Sequence, residues 1–401
     1  MAGQNLLSQG KTLGIIGLTQ KDWPLLVAAK KLGLNVGAYV DHSQPQLTKL
    51  ADFTIVGNYR DRDKLTEFGQ NSDLVIYASS LIAPVAINYL TNFTQVPQGV
   101  AALEIVQDRL MERAFLDEIN VNVSPYVTVI SLDDVYQSID SIGYPAVLKP
   151  IQRGLGEQSL RINHQSDIAY GDDYIQGGAY LLESWIDHNT EYSLTVATDG
   201  ETVVAYPLVE EFFNEDRELI EATTPTEVPD AMRDEMVRIA TEIAKKLGYR
   251  GVITVRFYAT AAGALYVNSF DLEPTISGNI FDEVAGVNQY EQMLRVIGGM
   301  AIHELHQLQP AVLVPLYDNQ LASATRQQVL KENWKFRFFP ADTTRTKGVK
   351  GLVWVTGGPD ALLSDLLNQV DTTEILRPKT SPTQPAPEEE WLRGGWFTLT
   401  R

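Results

Sequence analysis

The residues best placed to do chemistry are Lys149 and Glu183. Lys149 closes the apolar run Ala146-Val147-Leu148-Lys149-Pro150, and Gly154 and Gly156 follow in the next loop. A cation at a strand end, beside backbone N–H groups that glycine leaves accessible, makes a cradle for phosphate oxygens. Glu183 lies in Leu181-Leu182-Glu183-Ser184-Trp185-Ile186, with Glu191 eight residues beyond it. A strand running into an extended connector offers backbone groups to the edge of a base, and a carboxylate accepts hydrogen bonds from ribose hydroxyls. Each stretch has a plainer reading, a solvated strand-end lysine and a hairpin with surface acids. What favours a nucleotide is the order in which the parts follow one another along the chain.

Other chemistries are poorly served. The sequence has no nucleophile elbow, Walker-type loop or zinc-protease pattern, and the first strand runs into Gly17-Leu18-Thr19-Gln20 without the closely spaced glycines of a dinucleotide site. The absence of cysteine removes disulfides, thiol catalysis and thiolate metal ligands. A formal net charge of -19, with no compensating Lys/Arg cluster, argues against nucleic acid and anionic membranes as partners. An anionic ligand must then be met by a few local cations. With no apolar run of signal-peptide or membrane-spanning length, the expected location is cytoplasmic.

The elements that must position these residues follow from the hydrophobic pattern. With 401 residues, 44% hydrophobic and 21% charged, the chain is expected to form two or three packed modules. Leu13 to Gly17, Asn35 to Val40, Phe53 to Val56 and Leu74 to Tyr77 read as strands alternating with helices, which predicts a doubly wound parallel sheet. Leu103, Val106, Leu110 and Ala114 predict a helix between Ala101 and Ile119, after which Pro125 opens a new module. There, strands are expected at Val127 to Ile130, Ala146 to Lys149, Tyr180 to Leu182, Ser193 to Ala197 and Val203 to Tyr206. Pro229 to Leu247 reads as an amphipathic helix stopped by Gly248, followed by paired strands at Val252 to Tyr258 and Ala264 to Asn268. Short strands such as Ala311 to Leu316 and Leu352 to Val355 come next, then a proline-rich segment from Pro378 to Pro387 and an aromatic tail.

This order of parts resembles the ATP-grasp superfamily and, within it, the carboxyaminoimidazole ribonucleotide synthetase family of purine biosynthesis, also called the ATPase subunit of phosphoribosylaminoimidazole carboxylase. The resemblance is carried by Gln107-Asp108-Arg109-Leu110, Glu112, Phe115-Leu116 and Ser124-Pro125-Tyr126, and by Gly143 through Lys149. Leu182-Glu183, Glu191-Tyr192-Ser193, Val267-Asn268 and Ser277-Gly278 complete it. It implies an α/β and α+β chain: a Rossmann-like domain at 1–118, an ATP-grasp domain of two α+β halves at 119–308, a small β-rich domain at 309–376 and a tail at 377–401. It further implies ATP or ADP as ligand, with Arg109 and Lys149 on the phosphates, Glu183 and the Trp185-Ile186 backbone facing adenine, Glu191 on the ribose and Phe257 near the base. A homodimer is implied in the same way, as are aminoimidazole ribonucleotide and bicarbonate as the carboxylation substrates, with Arg345, Lys347 and Lys350 on the ribonucleotide phosphate.

The departures from that family fall on its catalytic positions. Two glutamates that hold Mg²⁺ in the family correspond to Arg256 and Ser269, and an arginine that orients the reacting acid corresponds to Glu273. Asp271, two residues from Ser269 and on the same strand face, could hold one metal ion. Arg256 and Glu273, each a charge reversal, could instead pair with one another. A cation at Arg256 repels Mg²⁺ and attracts phosphates. Three functions fit: the family's ATP-dependent carboxylation, a nucleotide-binding regulatory protein that has lost catalysis, or a ligase joining a different acid and amine.

Overall fold

Four parallel strands, β1 (Thr12–Ile16), β2 (Asn35–Val40), β3 (Phe53–Val56) and β4 (Leu74–Tyr77), pair in the order β3-β2-β1-β4. In a parallel sheet both faces must be covered by crossover helices, and the central strands are accordingly apolar throughout. The helix Trp23–Lys31 covers one face through Leu25, Leu26 and Ala29, and the helices Arg62–Gln70 and Pro84–Leu90 cover the other through Leu65, Phe68 and Ile87. The chain runs outward from β1 to β3 and then returns to β4 on the far side of β1. That reversal opens a crevice beyond the ends of β1 and β4. The computed structural model describes residues 7–154, 159–175, 178–341, 348–373 and 375. Gly156, Arg345, Lys347 and the proline-rich tail therefore lie outside the described residues.

The single helix expected between 101 and 119 is two, Ala101–Gln107 and Arg109–Glu118. Asp108 separates them with extended backbone, and its carboxylate caps the second helix by accepting from the Leu110 and Met111 N–H groups at 2.9 Å each. The break turns Arg109 toward the next sheet.

That sheet is antiparallel, with β5 (Tyr126–Val129), β6 (Ala146–Pro150), β7 (Leu160–Ile162) and β8 (Tyr180–Ser184) in the order β5-β8-β6-β7. The helix Leu132–Ile142 packs on one face, where Val135 and Ile139 meet Ala146, Leu148 and Leu182 in a core of their own. Alternation then sends Val147, Lys149 and Glu183 to the other face.

The third sheet is larger. β9 (Thr190–Thr198), β10 (Val203–Ala205), β11 (Val209–Phe213), β12 (Leu219–Thr224), β13 (Gly251–Ala259), β14 (Leu265–Asp271), β15 (Ala311–Leu316), β16 (Trp334–Phe338) and β17 (Gly351–Thr356) are all antiparallel to their neighbours, and the path runs β14-β13-β9-β11-β12-β15-β17-β16 with β10 on β9. The helix Asp230–Leu247 packs Met236, Ile239 and Ile243 against Leu194, Val255 and Phe257, and it ends at Gly248, whose φ of +58° suits glycine's freedom in the left-handed region. Because β15 hydrogen-bonds to β12, the boundary expected at 309 falls inside a continuous sheet; the C-terminal strands are β-rich as expected but extend the sheet that precedes them. Among the described residues no helix is long and apolar enough to cross a membrane.

Candidate functional site

Three elements bring basic side chains to one cleft. The helix Arg109–Glu118 supplies Arg109 and Arg113, β6 supplies Lys149, and the turn after it supplies Arg153; with Glu112, Asn268 and Ser269 they line a cavity of about 200 Å³. Arg109 is set by the chain break beside it: its N–H donates to the Ile151 carbonyl at 2.9 Å and Nη1 to the Pro150 carbonyl at 2.6 Å. For a protein of net charge -19 this is a local excess of positive charge that suits an anion.

Glu183, 2% exposed, sits between two of these cations. Lys149 Nζ donates to Oε2 and Arg113 Nε to Oε1, both at 2.7 Å. Burial alone would raise the Glu183 pKa, but Lys149 and Arg113 outweigh it and hold the carboxyl at about 2. Both carboxylate oxygens of Glu183 are bonded to cations, so its side chain holds Lys149 and Arg113 in place. Trp185 and Ile186 follow in the connector. The Trp185 N–H donates to the Pro145 carbonyl at 2.9 Å, and the Ile186 carbonyl lies 2.7 Å from His188 Nδ1.

Glu191 begins the large sheet's contribution. Arg217 grips its carboxylate with two nitrogens at 2.5 and 2.7 Å, and His188 Nε2 lies 3.1 Å from Oε1. Burial alone would raise the Glu191 pKa, but the Arg217 and His188 contacts outweigh it and bring the carboxyl to about 2. The His188 ring in turn stacks on Tyr258 at 3.9 Å between centroids. Tyr258 lies opposite Glu191 across β13 and β9, on the cleft face, whereas Phe257, one residue earlier, is fully buried against the helix Asp230–Leu247. Strand parity thus puts Tyr258 and His188, and not the expected Phe257, on the face that carries Glu191.

Arg256 shares that face with Glu191. Its Nη1 donates to Asp271 Oδ2 at 2.5 Å and its Nε lies 3.5 Å from Glu211, which pairs with Glu191 on the same face. Arg153 approaches the other Asp271 oxygen at 3.6 Å and donates to both oxygens of Glu112 at 2.8 Å. Burial raises the Asp271 pKa, but Arg256 and Arg153 outweigh it and keep the carboxyl below its ordinary range. Two expectations are corrected here. Asp271 is engaged by two guanidinium groups rather than open to a metal, and Arg256 pairs with Asp271 and Glu211 rather than with Glu273, which lies instead against Lys21 and Ser80. Among the described residues no group of three or more histidine, aspartate or glutamate side chains is placed to hold a metal ion. A carboxylate held by the guanidinium groups of Arg256 and Arg153 does not fit Mg²⁺.

Register adds one feature invisible in the pattern. A bulge between Arg256 and Phe257 pairs Arg256 with Ser269 and Phe257 with Val267, leaving Asn268 extra, and both Asn268 and Ser269 line the cleft. Lys350, just before β17, does not line the cleft; its Nζ lies 3.9 Å from Asp318, which follows β15. Arg113, Arg153, Arg217, His188 and Tyr258 are the site residues that sequence reasoning missed.

Residues 114–290 match the family model of the ATP-grasp domain. The chain is 25% identical over 333 residues to the N5-carboxyaminoimidazole ribonucleotide synthase of Bacillus subtilis, covering 82% of this chain and 87% of that one. In fold it is similar to an N5-carboxyaminoimidazole ribonucleotide synthetase solved as its ADP complex, with a TM-score of 0.87, 22% identity and 92% and 97% of the two chains covered. A similar likeness, at TM-score 0.79 and 17% identity over 90% and 99% of the chains, holds for the Aspergillus clavatus enzyme in complex with ADP and 5-aminoimidazole ribonucleotide. Lys149, Arg153, Asn268 and Ser269 of the cleft fall within the stretch that matches the ATP-grasp domain and Arg109, Glu112 and Arg113 just before it, in a chain that resembles N5-carboxyaminoimidazole ribonucleotide synthases over most of its length.

Proposed function

We propose that this protein binds ATP or ADP in the cleft between the small antiparallel sheet and the large one, and that it binds the nucleotide without carrying out the Mg²⁺-dependent carboxylation for which its relatives are named. Arg109 and Lys149 contact the phosphates, with Glu183 holding Lys149 in place. The Trp185-Ile186 connector faces the base beside His188 and Tyr258, and Glu191 takes the ribose. Carboxylation through an activated acid requires a divalent cation to neutralise the triphosphate and hold it in line for transfer. The observation that carries the proposal is the Arg256–Asp271 pair at 2.5 Å, a guanidinium where a metal would need two carboxylates.

The test has two arms. ATP and ADP should each raise the unfolding temperature, because a ligand selective for the native state stabilises it by mass action. Aminoimidazole ribonucleotide, bicarbonate, ATP and Mg²⁺ together should release no ADP above background. Absence of stabilisation refutes nucleotide binding; Mg²⁺-dependent release of ADP and phosphate refutes the loss of carboxylation and restores the synthase reading.

A further inference from the structure

The crevice beyond β1 and β4 is where a doubly wound sheet receives its ligand, because the loops leaving the two strands diverge there. In this protein a side chain from another sheet fills it. Glu273, two residues past the end of β14, accepts Lys21 Nζ on Oε1 at 2.7 Å. Its Oε2 accepts the Ser80 N–H at 2.5 Å and the Ser80 hydroxyl at 3.0 Å. Lys21 lies in the loop after β1 and Ser80 in the loop after β4, so the donors converge from the two sides of the reversal point.

These donors are braced independently of Glu273. Gln107 Nε2 donates to the carbonyls of Ser80 and Ile82 at 2.7 Å each, which fixes the β4 loop. Asp22 Oδ2 accepts the Thr19 N–H and hydroxyl at 2.7 Å each, which fixes the β1 loop around Lys21. The Tyr290 hydroxyl donates to the Lys21 carbonyl at 3.3 Å. An ammonium, a backbone N–H and a hydroxyl held on fixed loops form an oxyanion receptor, whichever carboxylate arrives. None of the three residues lines the basic cleft.

We propose that this crevice is a small-oxyanion site whose occupant is the protein's own Glu273 carboxylate, which excludes external carboxylates and phosphates from the ends of β1 and β4. The site is separate from nucleotide binding, and its test needs no nucleotide. Glu273→Ala removes the occupant and leaves the receptor. In the full-length variant, acetate should raise the unfolding temperature in a saturable way relative to chloride at matched ionic strength, and inorganic phosphate is the second probe. Wild type should not respond, and Lys21→Met combined with Glu273→Ala should lose the response. A response to acetate alone defines a carboxylate site, to phosphate alone a phosphate site, and to both a general oxyanion site. No response to either, or an equal response in wild type and in the double variant, overturns the proposal. If Glu273→Ala is recovered only as aggregate, refolding with and without acetate is the readout: acetate-dependent recovery supports the site and its absence overturns it. An ADP-induced stabilisation measured alongside reports on the nucleotide cleft by itself.

Discussion

Replacing Glu183 with glutamine tests whether the centre of the cleft is held by charge. The substitution keeps the shape but leaves Arg113, whose side chain is 3% exposed, with only the more distant Glu112 carboxylate at 3.9 Å. Removing one partner of a buried pair costs about 3–5 kcal/mol, because the remaining charge stays desolvated. The titration gives a similar magnitude by a separate route. Glu183 falls from 4.5 to about 2 in the folded protein, and at about 1.4 kcal/mol per unit this amounts to roughly 3 kcal/mol. The sign follows from proton binding. Between pH 2 and 4.5 the unfolded carboxyl is protonated and the folded one is not, so stability from this group is complete above about pH 4.5 and is lost as pH falls toward 2. Urea unfolding followed by tryptophan fluorescence should show Glu183→Gln about 3 kcal/mol less stable at pH 7, with the gap narrowing to about 2 kcal/mol at pH 3.5 as wild type loses the same interaction. A difference below about 0.5 kcal/mol at pH 7, or a gap that does not change with pH, refutes the electrostatic account.

Two further outcomes follow from the geometry. Arg256→Glu with Ser269→Glu should make nucleotide binding respond to Mg²⁺, read by calorimetric titration with ADP at several metal concentrations; equal metal dependence in wild type and variant would contradict the role given to Arg256. Asp108→Ala should lower stability by about 1 kcal/mol through loss of the helix cap and should also weaken ADP binding, since the break at Asp108 orients Arg109; a stability loss with unchanged affinity would separate the cap from the site.

The parts of the site visible in the sequence were those fixed by local pattern. Lys149 and Glu183 stand at the ends of short apolar runs that read as strands, and the strands Ala311–Leu316 and Phe53–Val56 have the bounds that their apolar runs suggested. Asp108 was misread because its neighbours keep a helical period of apolar residues straight through it, and only its capping bonds reveal the break. The resemblance implied Phe257 near a base, but the face each residue takes is decided by pairing, which sets Tyr258 opposite Glu191 on a strand sixty-odd residues earlier. Arg217 left no signal at all, since its bidentate contact depends on a loop between β11 and β12, neither of which the pattern had marked. The fate of Glu273 depends on contacts 252 and 193 residues away, with Lys21 and Ser80.

The pairing of β12 with β15 governs where the chain can be cut. A shortened protein ending at residue 308 would keep the whole ATP-grasp match yet strip β15 from β12, whose Ala222, Thr223 and Thr224 pair with Leu313, Val312 and Ala311. The exposed row of amide and carbonyl groups along β12 is a template for intermolecular pairing. Such a fragment should therefore self-associate, and the shortest well-behaved unit runs past Thr356 to include β17, which in turn protects β15.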